Sequence, residues 1–162
     1  MAPQFPMYID LEGNNCIIFG GGDKAAARAA VLLEFGAKVT VISPTLCDRL
    51  SDMDKNGLIR HIPRRYFRGD CSSCYICIAA TNNESVNIAI SDECKAKRIA
   101  VNVTKPSAFG TFVFPSVLIE KDITISVAGE SDKKLVRLIC ESIASEMPRM
   151  MSNALKENLK AE

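Results

Sequence analysis

The fold is decided by the stretch Cys16-Ile17-Ile18-Phe19-Gly20-Gly21-Gly22-Asp23-Lys24-Ala25. A short apolar segment leads into a glycine turn, and the turn opens directly into an alanine-rich segment. The spacing Gly20-x-Gly22-x-x-Ala25 matches the G-x-G-x-x-G/A pattern of strand–turn–helix units that bind the pyrophosphate of a dinucleotide.

Each position of this pattern has a physical role. Gly20 permits the tight turn out of the strand, and Gly22 lets a pyrophosphate approach the backbone because it has no Cβ. Ala25 is small enough for the helix to pack closely on the sheet. Unpaired N–H groups of the first helical turn, at Asp23 and Lys24, then face the phosphates.

The surrounding sequence supports a βαβ unit of about 30 residues. Ala25, Ala29, Leu32 and Leu33 give one helical face an apolar surface, and Gly36 ends the helix. Residues 38–42 predict the second strand because they are rich in β-branched side chains. The alternative is a glycine turn in a parallel sheet that binds nothing.

Composition limits the functional classes. The chain has 162 residues and a net charge of +1, which gives no field that favours nucleic acid or an anionic membrane. No apolar run is long enough to span a membrane, and the first ten residues do not resemble a secretory signal. Seven cysteines without such a signal indicate reduced thiols and a cytoplasmic protein.

Strand and helix patterns alternate up to residue 106. Helices are predicted over 46–56 and 84–97, and strands over 58–62, 74–80 and 99–103. This alternation predicts a Rossmann-like, doubly wound parallel α/β sheet in the order 3-2-1-4-5, which would form an NAD(P)-binding domain over 1–106. Ligands of such sheets bind outside the carboxyl ends of the strands, so Thr81 and Asn82 should line the opposite side of the crevice.

The pattern changes after Pro106. Residues 111–120 and 123–128 predict an antiparallel hairpin, followed by a helix with an apolar stripe. Pro148 is expected to end that helix and begin a second, whose apolar face holds Met151, Leu155 and Leu159. Residues 107–162 are therefore expected to form a dimerisation hairpin and C-terminal helices, and the chain a homodimer.

A series of motifs in order resembles one family. Each segment is ordinary alone, and it is their occurrence in order that is specific. The segments are 5–13, the glycine turn, 39–44, Arg65-Tyr66, Gly69-Asp70, 79–83, Val86-Asn87, Asn102-Val103 and 112–116. The chain resembles the precorrin-2 dehydrogenases, the NAD-dependent domain of siroheme synthases. This resemblance implies NAD as cofactor, a tetrapyrrole substrate, oxidation of precorrin-2 to sirohydrochlorin and, in some members, iron insertion into the macrocycle.

The motifs and the resemblance together give a set of cofactor-binding residues and no metal ligands. The predicted cofactor-binding residues are Gly20, Gly21, Gly22, Asp23, Lys24, Ser43, Pro44, Thr81, Asn82 and Asn102. No acidic residue follows the second strand, so the choice of NAD over NADP rests on the resemblance.

Lys105 departs from the family pattern. The resemblance places the proposed acid/base Asp of the family at this position, and an ammonium does not accept a proton unless burial lowers its pKa strongly. The catalytic residue is therefore unknown. The alternative function is a non-catalytic sensor or carrier subunit that binds a dinucleotide or a tetrapyrrole.

Three further groups carry weaker signals. In Cys71-Ser72-Ser73-Cys74-Tyr75-Ile76-Cys77, strand geometry allows only Cys71 and Cys74 to converge, which favours core packing over a metal site. His61, the one histidine, is expected on a surface or edge strand. The basic group at 64, 65 and 68 is interpreted as a solvated loop, with attraction of substrate carboxylates as the alternative.

Overall fold

The computed structural model describes residues 5–129 and 132–158 of the chain. Two compact units divide it, the first ending at Phe112 and the second beginning at Val113. No helix of the described residues combines the length and apolar character that a membrane crossing requires.

A five-stranded parallel sheet forms the first unit. Its strands, in chain order, are β1 (Asn15–Phe19), β2 (Lys38–Ile42), β3 (Ile59–Ile62), β4 (Ile76–Ala79) and β5 (Ala100–Val103). Their spatial order is β3-β2-β1-β4-β5, which confirms the predicted 3-2-1-4-5 order. Three helices connect the strands: α1 (Asp23–Glu34), α2 (Asp48–Lys55) and α3 (Glu84–Ala96).

The core lies around the two central strands. All four residues of β4 are buried, and Ile18 and Phe19 of β1 are fully buried. Continuous apolar strands of this kind are typical of a parallel sheet covered on both faces. Strands β1 and β4, from which loops of the site extend, are therefore anchored in the buried core.

Helix α1 begins and ends where the sequence predicts. Gly22 is its N-cap, and Gly36 has a left-handed φ of 72°, a conformation that glycine adopts without a steric penalty. The N–H groups of Gly36 and Ala37 donate to the carbonyls of Leu33 and Leu32. Ala25 is completely buried, so α1 approaches the sheet closely.

The described residues of the second unit form an antiparallel hairpin and one helix. Strands β6 (Ser116–Glu120) and β7 (Ile123–Val127) pair as predicted, although the first strand begins five residues later than expected. Helix α4 (Lys133–Asn158) packs against both strands.

The predicted break at Pro148 is wrong. Pro148 lies inside α4, which continues through it as one helix of 26 residues. A proline removes one backbone hydrogen bond and disfavours the helix locally, but this cost does not forbid continuation, and Cys140 and Met147 are buried on the turns before it. The side chain of Leu155 and the whole of Leu159 lie outside the described residues.

Much of the apolar stripe of α4 is exposed. Cys140 and Met147 are buried, whereas Leu135, Leu138 and Ile139 are each more than 40% exposed. Ile119 and Ile123 of the hairpin are exposed to a similar degree. The second unit therefore presents apolar surface on both its hairpin and its helix.

Candidate dinucleotide-binding site

A cleft of about 700 Å³ opens at the carboxyl edge of the sheet in the first unit. Its walls are the loops that follow β1, β2 and β4, together with the segment after β3. This volume lies within the usual range for small-molecule sites. The lining residues are Phe19, Gly20, Gly21, Gly22, Ile42, Ser43, Pro44, Thr45, Leu46, Cys47, Arg65, Tyr66, Ala80, Thr81, Asn82, Asn83 and Val86.

The three glycines of the turn have different surroundings. A Cβ on Gly20 would lie 2.4 Å from the carbonyl oxygen of Ala80, and one on Gly21 would lie 1.9 Å from that of Thr45. A Cβ on Gly22 would meet nothing within 4 Å. Gly20 and Gly21 are thus required by the packing of the protein itself, whereas Gly22 leaves open space beside its backbone.

Helix α1 begins at this open position. Gly22 has extended backbone geometry, and among the residues that the structure describes no side chain caps the helix N-terminus. The first N–H groups of a helix have no acceptor within the helix, and they carry the positive end of its dipole. An uncapped helix start beside an open glycine fits the pyrophosphate of a dinucleotide.

The loop after β2 is held by His61 of the neighbouring strand β3. The ring Nε2 of His61 lies 2.8 Å from the carbonyl oxygen of Ser43, and the N–H of His61 donates to Asp54. His61 is half-buried on the edge strand β3, in agreement with the role expected for it. No described residue of the cleft lining is acidic, so the loop offers hydroxyls and backbone groups to a ribose.

Asn87 organises the loop after β4. Its side-chain oxygen accepts hydrogen bonds from the N–H and the hydroxyl of Thr81, at 3.1 and 2.7 Å. Its side-chain nitrogen donates to the carbonyls of Thr81 and Lys105. Asn87 is fully buried, so one side chain ties the loops after β4 and β5 together.

Seven of the ten predicted cofactor-binding residues line the cleft: Gly20, Gly21, Gly22, Ser43, Pro44, Thr81 and Asn82. Asp23 and Lys24 lie exposed in the first turn of α1, next to the lining. Asn102 is buried on β5, where its Nδ2 donates to the carbonyl of Phe112. Its Oδ1 has no hydrogen-bond partner among the described residues.

Sequence reasoning did not assign Tyr66 to the cleft. The Tyr66 ring packs edge-on against Phe19, and its hydroxyl donates a 2.6 Å hydrogen bond to Glu93. Glu93 also accepts from Lys97 and from the N–H groups of Gly69 and Cys71. The family resemblance includes Arg65-Tyr66, but no periodicity in the surrounding sequence indicates that either residue faces the cleft.

Four donors control the charge of Glu93. Burial alone would raise the pKa of this carboxyl, but the hydrogen bonds from Lys97, Tyr66 and the two N–H groups lower it to about 2. Glu93 is therefore a buried carboxylate at neutral pH. Its hydrogen bonds fix Tyr66 in the wall of the cleft.

Two arginines of the basic group have different roles, because Arg64 pairs with an aspartate and Arg65 faces the cleft. Arg64 makes a bidentate ion pair with Asp70, at 2.7 and 2.8 Å, and thereby holds the segment after β3. Arg65 lines the cleft. A positive charge at this wall is suited to an anionic ligand.

Lys105 is not part of the cleft lining. Its ammonium forms a 2.9 Å ion pair with Glu84 at the start of α3, and both side chains are more than half exposed. The hydrogen bond to this carboxylate raises the pKa of Lys105. Lys105 is thus a cation at neutral pH rather than a base.

The expected convergence of cysteines is wrong. Cys71 and Cys77 converge with Cys94 of α3, rather than Cys71 with Cys74 alone. Alternation along β4 does not govern Cys71, because that residue lies before the strand in the short 3-10 turn Asp70–Ser73. The buried stripe of α3, on which Cys94 follows Ile90 by one turn, was the available signal for the third thiol.

Residues 7–116 match a family model whose description is "Putative NAD(P)-binding". The chain belongs to this NAD(P)-binding family. The match contains every lining residue of the cleft and confirms the dinucleotide class that the glycine spacing predicts.

Curated relatives of the chain agree with the resemblance seen in the motifs. A siroheme synthase of Thioalkalivibrio sulfidiphilus (strain HL-EbGR7) is 33% identical over 89% of the chain, and one of Salmonella paratyphi B (strain ATCC BAA-1250 / SPB7) is 29% identical over 94%. The chain spans 30% and 34% of their lengths, about a third of each.

A solved structure supports the fold. "SirC, precorrin-2 dehydrogenase" superimposes with a TM-score of 0.71 at 22% identity, covering 88% of this chain and 71% of that one. The predicted Rossmann-like sheet with a C-terminal hairpin is therefore confirmed.

Proposed function

We propose that this chain is an NAD-dependent dehydrogenase of siroheme biosynthesis that oxidises precorrin-2 to sirohydrochlorin. The observation that carries the proposal is the open cradle at Gly22, beside an uncapped helix start in the cleft of an NAD(P)-binding family member. The siroheme synthase relatives supply the pathway, and the relative named precorrin-2 dehydrogenase supplies the reaction class.

The residues of the cleft fit a dinucleotide. The pyrophosphate would lie against Gly22 and the first turn of α1, because only there does the turn leave room for a ligand beside the backbone. Ser43 and Thr45 would contact the adenosine ribose, since both follow β2. Thr81 and Asn82, after β4, would lie on the nicotinamide side of the crevice.

When bound, NAD⁺ accepts a hydride at its nicotinamide ring. The overall reaction converts precorrin-2 and NAD⁺ into sirohydrochlorin, NADH and one proton. The chain's own residues position the two reactants and take up that proton or pass it to water. Arg65 supplies a positive charge that would pair with a carboxylate of the tetrapyrrole.

Residues 107–162 are proposed to provide dimerisation. The hairpin and α4 expose apolar side chains that a partner protomer would cover, including Leu135, Leu138, Ile119 and Ile123. Soluble monomers rarely expose large apolar surfaces, whereas homodimers commonly bury such surfaces in their interface.

One observation favours the second candidate, a non-catalytic subunit that binds a dinucleotide or a tetrapyrrole. The described lining of the cleft contains no Asp, Glu or His, and Lys105 is held as a cation by Glu84. A site without a general base loses a factor of about 10² to 10⁴ in rate where proton transfer limits the reaction.

NADH binding to Gly22 variants tests the cofactor site. Gly22→Ala and Gly22→Val should fold with only a small loss in melting temperature, because the backbone is extended and the space is open, so that only the poorer N-cap preference of Ala and Val remains. We expect affinity for NADH to fall progressively from glycine to alanine to valine. Equal affinity in all three folded proteins would refute the assignment, and parallel titration with NADPH tests the preference for NAD.

A further inference from the structure

A cluster of buried thiols lies in the first unit, outside the cleft lining. The Sγ atoms of Cys71, Cys77 and Cys94 all lie within 4.8 Å of one another. Each of the three residues is 0% exposed, and none of them lines the dinucleotide cleft. The cluster is therefore separate from the proposed chemistry.

Three different elements supply these thiols. Cys71 lies in the 3-10 turn Asp70–Ser73, Cys77 on the central strand β4, and Cys94 on helix α3. A fourth thiol is nearby, because Cys74 Sγ donates to the carbonyl of Cys71 at 3.3 Å. Cys74 is outside the group of three mutually close sulfurs, so its side chain would have to turn toward the ion to bind it.

The separation of the sulfurs fits a single metal ion. A bond from Zn²⁺ to a thiolate is about 2.3 Å long, which places two sulfurs about 3.8 Å apart in a tetrahedral site and about 4.0 Å apart in a trigonal one. Both values fall below the 4.8 Å limit of the cluster. An iron–sulfur cubane would separate its ligands further, because several irons stand between them.

The three thiols are already gathered at one point of the buried core, so one ion could contact all of them. The thiolate form is the one that binds metal ions.

We propose that Cys71, Cys77 and Cys94 bind one thiophilic d¹⁰ metal ion, Zn²⁺ or Cu⁺, with Cys74 available as a fourth ligand. Three sulfurs alone suit trigonal Cu⁺, and a fourth completes the tetrahedron that Zn²⁺ prefers. Each thiol that is still protonated releases its proton as its metal–sulfur bond forms, and no electron is transferred.

The site is structural in character. Its ligands would join the 3-10 turn, the central strand and α3 in the core. Through Glu93, whose carboxylate accepts from the N–H of Cys71 and from the Tyr66 hydroxyl, the site also supports one wall of the cleft. Access is through the turn that carries Cys71, since Ser72 and Ser73 of that turn are exposed.

Metal titration of the reduced full-length protein under anaerobic conditions tests the proposal. Co²⁺ should give an intense thiolate-to-metal charge-transfer band that saturates at one ion per chain and disappears when Zn²⁺ is added. Cu⁺ should be withdrawn from bicinchoninate in the same ratio. Loading should raise the melting temperature, because the ion binds only the folded state.

Single cysteine variants separate binding from core packing. Cys77→Ser and Cys94→Ser should lose at least 100-fold in metal affinity, while Cys140→Ser, a buried cysteine of the second unit, should bind as the natural protein does. Cys74→Ser distinguishes the ions: unchanged Cu⁺ affinity indicates three ligands, and reduced Zn²⁺ affinity indicates four.

Three results would overturn the proposal. The first is the absence of a charge-transfer band in protein whose seven thiols all titrate as reduced after unfolding. The second is metal affinity in folded Cys94→Ser equal to that of the natural protein. The third is iron with inorganic sulfide in the protein as purified, which would assign a cluster instead.

Discussion

Glu93→Gln is expected to destabilise the protein because it removes a buried charge that four donors share. The carboxylate accepts hydrogen bonds from the Tyr66 hydroxyl at 2.6 Å, from the N–H groups of Gly69 and Cys71, and from the Lys97 ammonium. Glu93 is 8% exposed, so water cannot take the place of a hydrogen-bond partner that the substitution removes. A glutamine has the same shape but cannot accept at both ends.

The pKa gives the size of the effect. Folding lowers the pKa of Glu93 from 4.5 to about 2, and each unit corresponds to about 1.4 kcal/mol. Since Lys97 is partly solvated, we expect a loss of about 2–3 kcal/mol in the free energy of unfolding. For a chain of this length that is roughly 5–10 °C in melting temperature.

The effect should depend on pH in one direction. A lowered carboxyl pKa stabilises the fold fully above the unfolded value of 4.5, and that stabilisation is lost as the pH falls toward about 2. The difference between natural protein and variant should therefore be constant near neutral pH and shrink below pH 4.5.

Thermal unfolding followed by circular dichroism measures both quantities. Glu141→Gln is the matched control, because Glu141 makes an exposed i,i+4 ion pair with Arg137 that contributes little to stability. A Glu93→Gln melting temperature within about 2 °C of that control at pH 7 would refute this reasoning.

Four further predictions concern the turn, the loops and the second unit. Gly21→Ala should lower the melting temperature more than Gly22→Ala does, because the new Cβ at position 21 would lie 1.9 Å from the carbonyl oxygen of Thr45. Equal melting curves for the two variants would contradict this. Asn87→Ala should lose about 2–4 kcal/mol of stability, by denaturant titration, and also weaken NADH binding, because Thr81 and Lys105 lose their shared partner. Lys105→Asp should raise the rate of precorrin-2 oxidation about tenfold or more, and Lys105→Ala should weaken tetrapyrrole binding. If the natural protein already turns over at full rate and Lys105→Ala does not change that rate, no acid/base group is needed at position 105. Light scattering at tens of micromolar should give a dimer, whereas Leu138→Glu should shift the protein to monomer; a monomeric natural protein would reject the dimer.

The first βαβ unit was predictable because its signals are local. The glycine spacing, the apolar face of α1 and the β-branched run of β2 all lie within about one unit of sequence, so period and turn chemistry suffice. The strand order followed from the alternation of strands and helices and from the usual topology of doubly wound sheets.

What the sequence did not reveal depends on contacts between distant residues. Tyr66 hydrogen-bonds to Glu93, which is 27 residues away in the sequence, and the Cys71 sulfur lies close to that of Cys94 because α3 packs on the sheet. The periodicity of apolar residues in the sequence does not indicate contacts between such distant residues. Pro148 shows the opposite case, in which a strong local signal is wrong because α4 continues through the proline, with buried Cys140 and Met147 on the preceding turns.

The proposed activity is tested most directly by incubating the natural protein with precorrin-2 and NAD⁺ under anaerobic conditions. Sirohydrochlorin and NADH should form in equal amounts, and the folded Gly22→Val variant should form neither. Protein that binds NADH and the tetrapyrrole but yields no sirohydrochlorin, with Lys105→Asp equally inactive, would contradict the dehydrogenase assignment and leave a non-catalytic binding subunit.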